Sequence, residues 1–517
     1  MIIGIDLGTT FSVAAYIKDG TPTVIRNLDN LETTPSVVWF DDSEIIVGSQ
    51  AKSMRKLEPY NVIFEIKKHM GEINKNGKEY IVKIENGNEY RPEEISAIIL
   101  KAIKNFCENS SRLNEEITGC VITVPANFND AQKKATLDAA NIAGLNVLGL
   151  INEPTAAALA YSYETSAETE QTILVYDLGG GTFDITILKI NGKMSEVLST
   201  DGDLKLGGVY FDTTLFQYIS MEFKRLTGLN IEETDDDKTI QDIWDACERA
   251  KVSLSTREKC QIPISIGGQK AKIDITRNKF EELIKSFLDD TIIRIENAII
   301  EANLTAEDID NVLLVGGSTQ IPIIAKMLEE MFKKPPLRTV NPDLAVAMGA
   351  AIYADWLSKN KEEEPIIKDV IAHSLGTTAR NENGNKINDI IIYANTQVPC
   401  KKRRIYSTND VFQDNILLTL NEGNDTDLDY VRVVGNTKIT IPSRSVKYCI
   451  GIELGYDENG IIICESFDLY NQNEDLWEKD IGCIAPSLGK LIPARNANLT
   501  SEQVENSKQR LTLESVQ

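Results

Sequence analysis

Two stretches decide the fold: MIIGIDLGTTFS at residues 1–12 and TILVYDLGGGTFDITIL at 172–188. In the first, Ile2–Asp6 reads as a buried strand, Leu7–Thr10 as a tight turn and Phe11–Ile17 as the returning strand. The second repeats the plan, with Ile173–Asp177, a glycine turn and Thr182–Leu188. Each hairpin carries an acid, Asp6 or Asp177, at the lip of its turn, so the pattern predicts a duplicated subdomain. Around the hairpins lie short apolar strands, Gly119–Val124 and Val312–Val315. Helical patterns cover Asp130–Ala143, Thr155–Ser162, Thr239–Leu254, Arg277–Ala302 and Ile321–Phe332. This part is α/β.

The chain is 517 residues long, more than one core usually organises. After Trp356 the character changes. A charged run and Pro365 are followed, from Ile366 to about Phe467, by short alternating strands with turn signals at Asn383-Gly384 and Asn459-Gly460. A second, β-rich domain is expected, and then a tail with one helix at Thr500–Leu513.

Composition excludes several classes. A formal charge of −24 repels a phosphodiester backbone, so no nucleic-acid partner is expected. The longest apolar run, Ala345–Leu357, contains Asp355 and is too short to span a bilayer, so no membrane partner is expected either. The first residues lack a secretory pattern, and a cytoplasmic location is expected. Eight cysteines form no C-x-x-C pair, and only His69 and His373 could support imidazole chemistry. Buried, reduced thiols are predicted.

An acid followed by a glycine turn can hold a carboxylate near a metal while backbone amides face phosphate. One such turn is a common hairpin device. Gly179-Gly180-Gly181 changes the balance, because three glycines cost roughly 1 kcal/mol each in regular structure and call for a close-lying ligand. A third turn, Gly316-Gly317-Ser318-Thr319, follows the strand ending at Val315 and precedes a helix near Pro322. No Walker A motif, G-x-G-x-x-G or H-R-D occurs.

With these residues in view the sequence resembles the DnaK-type (70-kDa) heat-shock chaperones. The resemblance rests on IDLGTTFS, VGSQAK, NVIFEIKKHMG, VPANFNDAQKKA, INEPTAAALAY, YDLGGGTFD, CERAKVSLS, LLVGGSTQIP and NPDLAVAMGAA, which tile residues 1–357 in order. It implies an actin-like ATPase made of duplicated ribonuclease-H-like subdomains at 1–357, a linker at 358–368, a β-sandwich peptide-binding domain at 369–483 and a tail at 484–517. It implies ATP and Mg²⁺ as cofactors. Lys67, Glu153, Asp177 and Thr182 become the catalytic candidates, and Asp6, Asp177 and Asp184 the metal candidates. Gly8, Thr9, Thr10, Phe11, Gly179, Gly180, Gly181, Glu248, Lys251, Ser255, Gly316, Gly317, Ser318 and Asp343 become nucleotide candidates. Tyr406, Ile416, Leu418 and Ile450 fall on peptide-pocket positions, although ordinary sandwich core explains each alone.

The function implied is an ATP-dependent chaperone that binds extended, unfolded polypeptides through slow Mg²⁺-dependent hydrolysis, with a J-domain cochaperone and an exchange factor as further partners. The alternatives are a non-hydrolysing ATP-binding module for a dedicated partner, and an actin-like filament or sugar kinase. Several departures stand out. Glu362–Lys368 lacks the family's leucine-rich linker, which leaves interdomain coupling open, and Arg380 stands where bacterial relatives carry Met. Lys133 and Gly149 replace arginines of the signalling surface. The tail resembles that of the shorter, divergent HscC-like branch, a vestigial lid.

Overall fold

The structure is a computed structural model that describes residues 1–72, 79–109, 115–165, 169–191, 194–234, 236–338, 341–359, 367–481, 483–490 and 499–516. Most of the expected linker, 360–366, lies outside the described residues. Two sheets carry the first part. In lobe I the strand order is Val147–Asn152, Gly119–Val124, Ile2–Leu7, Phe11–Lys18 and Thr21–Ile25, the first three parallel and the last three a meander. Lobe II repeats this with Asn311–Val315, Gln171–Leu178, Phe183–Asn191 and Met194–Asp203. Each expected hairpin is present, one to three residues longer than its apolar run.

Two helices, Glu153–Thr165 and Ala345–Ser358, cross between the lobes. Their contact faces are alanine and glycine because the backbones nearly touch. A Cβ on Gly349 would stand 1.7 Å from the Ala156 carbonyl oxygen, and one on Gly4 would stand 2.1 Å from the Ala351 nitrogen. Small residues therefore set the spacing of the lobes.

Three expectations shift. The helix Arg277–Ala302 is broken at Ile284 (φ −93°, ψ 2°) into Arg277–Leu283 and Lys285–Glu301. No glycine or proline signals the break; the fully buried Ile284 side chain accompanies it. The helix read as Thr155–Ser162 begins at Glu153 and ends at Thr165, which sets Glu153 in its first turn. Of the eight thiols only Cys107, Cys120, Cys247 and Cys464 are buried; all eight are free.

The β-rich part is a sandwich of two four-stranded sheets. One runs Lys386–Ile392, Leu375–Arg380, Asn415–Glu422 and Arg432–Thr440; the other runs Cys400–Ser407, Cys449–Tyr456, Ile462–Asp468 and Ser487–Lys490. The last strand lies beyond residue 483, in a stretch too short and too polar to signal itself by alternation. Beyond the altered linker, Ile367–Val370 is a strand bonded in parallel to Ser195 and Glu196 of lobe II and antiparallel to Gln397–Val398. Asp369 accepts from Asn152 Nδ2 at 2.9 Å. Lys133 is buried facing Asp369, and burial pulls its ammonium pKa down while that carboxylate opposes the shift. Without a side chain at Gly149, Leu357 and Asn459 close in, and Asn459 accepts from Leu150 N at 2.9 Å. The seam is thus polar and closed despite the altered residues.

The tail departs most from expectation. Its helix, Ser501–Leu513, forms as predicted, opened by a Thr500–Gln503 capping box. It packs on the lobe I helices Pro92–Asn109 and Asp130–Ile142 rather than over the sandwich. Leu499, Val504, Leu511 and Val516 join the core containing Ile3 and Ile5. Ser507 Oγ donates to Glu94 at 2.9 Å, Lys101 donates to the Leu511 carbonyl, and Val516 bridges to Ile45.

Candidate active site

The lobes enclose a cleft of about 880 Å³. Its floor is the two acid-tipped turns, which interlock. Gly180 lies so close to Thr10 that a Cβ would meet the hydroxyl at 2.0 Å, and Gly181 lies against Thr9. Gly179 O accepts from Gly208 N at 3.1 Å and Ser318 Oγ at 2.8 Å, while Val209 N bonds Gly180 O at 2.8 Å, so the triple-glycine turn is fixed from two sides. Gly316, at φ +82°, occupies a conformation suited to glycine and touches the Leu178 carbonyl. Thr10 Oγ1 is buried with no hydrogen-bond partner. Amides and hydroxyls lying this close, with a polar atom left unspent, could cradle a phosphate.

Across the cradle stands Lys67, on a short 3₁₀ turn, Ile66–His69, entered through Glu65 at φ 56°. Its ammonium is buried and bonded to Glu153 at 2.5 Å. Asp177 and Asp184 are buried around that pair, with Asp6 half-buried beside them. Thr123 donates to Asp6 at 3.1 Å, and the Asn127 amide donates to Asp184 at 3.1 Å. Burial first, then repulsion from Glu153, pushes the Asp6 carboxyl up to about 7 and Asp184 up to about 8; Asp177 is raised well above the usual range for the same reasons. Lys67 and the Thr123 and Asn127 hydrogen bonds offset this only in part. A divalent cation fits here, since it would offset the repulsion among these carboxylates. Mg²⁺ keeps several waters and takes one or two carboxylates plus phosphates.

A pH dependence follows. A carboxyl whose pKa is higher folded than unfolded binds its proton more tightly in the fold, so its stabilising contribution is complete below about pH 4 and is lost as pH climbs through 7 to 8. The nucleotide-free protein should therefore melt at a higher temperature at pH 6 than at pH 8.5, and Asp184→Asn should flatten that difference. Equal slopes for both proteins in thermal scans would contradict the raised Asp184 value.

Of the residues singled out from the sequence, Asp6, Gly8, Thr9, Thr10, Phe11, Lys67, Glu153, Asp177, Gly179, Gly180, Thr182, Glu248, Lys251, Ser255, Gly316, Gly317, Ser318 and Asp343 line one cleft. Asp184 lies behind it and Gly181 is packed against Thr9 and Lys68. Lys251 is engaged by Asp212 at 2.5 Å and by the Gly208 carbonyl at 3.0 Å. The sequence reading missed a clasp over the cleft mouth. Lys52 pairs with Glu248 at 2.8 Å, Lys56 with Asp242 at 2.6 Å, and Tyr60 Oη donates to Asp237 at 3.0 Å. Asp242, Asp245 and Glu248 recur every three residues on Asp237–Leu254; that pattern was visible, its partner was not. In the sandwich, Leu418 and Ile450 are buried core, with Tyr406 and Ile416 half-buried against it. Tyr406 Oη donates to Asp389 at 2.7 Å.

A duplicated sheet-and-helix body holding a phosphate cradle between its lobes, with a β-sandwich docked on it, defines an actin-like ATPase with an appended binding domain. Residues 2–481 match the family described as Hsp70 protein, and the chain belongs to that family. It is 42% identical over 434 residues, 82% of this chain and 70% of the relative, to the chaperone protein DnaK of Thermotoga petrophila, and equally so to that of Thermotoga maritima. The protein is an ATP-dependent chaperone and an ATPase. No helix among the described residues is long and apolar enough to cross a membrane.

Proposed function

We propose that the cleft hydrolyses ATP with Lys67 and Glu153 at its centre, and that the sandwich at about 369–490 couples the nucleotide state to binding of extended polypeptides. The Lys67–Glu153 pair at 2.5 Å, facing two interlocked glycine turns, carries this reading. Amides of Gly8–Thr10 and Gly179–Thr182 hold the phosphates. Glu248, Lys251 and Ser255 hold the nucleoside, with Gly316–Ser318 and Asp343 closing the opposite wall. Asp6, Asp177 and Asp184 would hold Mg²⁺, which would supply charge neutralisation at the phosphates. Lys67 orients a water in line with the γ-phosphate and Glu153 steadies Lys67. Water adds to the γ-phosphorus, the bond to the β-phosphate oxygen breaks, and ADP, phosphate and a proton leave.

Residues 1–357 form the catalytic unit and 358–368 the connection in this reading. A J-domain cochaperone, an exchange factor and a cytoplasmic setting complete it, drawn from the family. The test measures ATP turnover by the full chain, with Mg²⁺ or with EDTA, and with or without an extended apolar peptide. Hydrolysis that needs Mg²⁺ and rises with peptide is expected. Hydrolysis indifferent to EDTA would sink the metal assignment, and indifference to peptide would sink the coupling.

A further inference from the structure

Among the described residues that line the cleft, Arg55 is the one arginine, and hydrolysis as described above leaves it without a task. It closes the lobe I helix Ser49–Met54, and Phe64 ends the strand Val62–Phe64 against which that helix packs. The guanidinium carbon lies 3.5 Å from the centre of the Phe64 ring, so the flat fork is laid on an aromatic face and held there. The Arg55 side chain is only 18% exposed. Phe64 lines the cleft as well.

A guanidinium carries several N–H donors in a fixed fork and keeps its charge at neutral pH, so burying one calls for acceptors. Arg55 is short of them. Its Nε is buried with no hydrogen-bond partner, and the carboxylate it pairs with, Asp245 of lobe II, stands 3.9 Å from Nη1. That acid is already served by Gln241 Nε2 at 2.8 Å and by Lys56 at 3.8 Å. Burial lowers the Arg55 pKa from its ordinary value, while Asp245, Glu65, Glu248 and Asp212 oppose the shift. The charge is thus faced by acids at a distance while a donor beside the cleft goes unused.

We propose that Arg55 is a nucleotide-binding residue that donates a hydrogen bond from lobe I to the ribose hydroxyls of the bound nucleotide. Asp245 stands three residues before Glu248, so the two project from one side of Asp237–Leu254. That sets Arg55 over the nucleoside end of the cleft rather than over the glycine turns. A ribose hydroxyl both donates and accepts, whereas an ionised carboxylate only accepts. Glu248 therefore serves one half of the hydroxyl's needs, and Arg55 serves the other from the opposite lobe. Stacking on Phe64 holds the fork in place beforehand, which lowers the cost of ordering it at binding. The assignment rests on the nucleoside reading of Glu248, Lys251 and Ser255 above.

The experiment titrates the full chain with Mg²⁺-ADP and with its 2′,3′-dideoxy analogue. Arg55→Met should weaken ADP binding about tenfold, the scale of one hydrogen bond to a charged group. The same variant should bind the dideoxy analogue within about twofold of the wild type, because the hydroxyls it would have met are gone. Arg55→Lys should lose as much ADP affinity as Arg55→Met, since an ammonium has no flat face to lay on Phe64. Asp245→Asn should keep ADP affinity within about twofold. Thermal scans establish that the variants fold. Wild-type ADP affinity in Arg55→Met or Arg55→Lys overturns the proposal and spares the ATPase reading. An equal loss with ADP and with the dideoxy analogue puts the contact on base or phosphate and also overturns it. A loss in Asp245→Asn that matches Arg55→Met means that the arginine acts through its ion pair across the lobes, which again overturns the proposal. No ADP binding by the wild type overturns the proposal together with the nucleotide reading of the cleft.

Discussion

Lys67→Ala should lower the ATP turnover number by about two to three orders of magnitude, the scale for removing one preorganised charge from a phosphoryl-transfer site, while nucleotide affinity changes less than tenfold. The reason lies in what Lys67 faces. Its ammonium is buried against Glu153 at 2.5 Å with Asp6, Asp177 and Asp184 close by, so it opposes negative charge where charge shifts during the reaction. The glycine turns and the cleft walls grip the nucleotide without it. Lys67→Arg should not restore turnover, because a planar guanidinium cannot take the place of a compact ammonium in so tight a pocket. Single-turnover hydrolysis beside nucleotide titration separates the two effects, and undiminished hydrolysis in the alanine variant would refute the assignment.

The second large effect belongs to the packing. Gly349→Val should leave the ATPase lobes unable to seat against each other. Even a lone Cβ would stand 1.7 Å from the Ala156 carbonyl oxygen and 2.9 Å from its Cα, and the obstacle is backbone, which cannot rotate aside. Overpacking of this kind costs about 3 kcal/mol or more, seen as a drop in the unfolding midpoint or a failure to accumulate folded protein. Gly149→Ala is the control, since its nearest neighbour would be Leu357 at an ordinary 3.5 Å. An unchanged midpoint for Gly349→Val would mean that the two central helices do not cross as described.

The parts of this molecule that could be read from the sequence are those in which neighbours along the chain make the feature. The hairpins at Ile2 and Ile173 announce themselves through apolar runs joined by glycine turns, and the acids at their lips are fixed by position. Nearly all the nucleotide candidates line one cleft because each sits on such a local turn or on a helix face. Features made by distant partners stayed hidden. Lys52 and Glu248 are ordinary charged helix residues until the lobes face each other. Leu418 and Ile450 fit a pocket or a core equally well by alternation, and the fold uses them as core. The amphipathic stripe of Ser501–Leu513 says that the helix packs somewhere, but the groove that receives it is built by residues about four hundred positions earlier.

That last separation carries a consequence for how the protein is made. Ile3 and Val516 share one core, and Ser507 bonds Glu94 across 413 positions. At about 5–20 residues per second of synthesis, the surface of lobe I that receives the tail waits on the order of tens of seconds for its cover after Glu94 has emerged. During that interval a chaperone's own nascent chain exposes the kind of apolar surface that chaperones exist to bind. The patch around Glu94 and Lys101 is therefore the last part of lobe I to be covered as the chain is made.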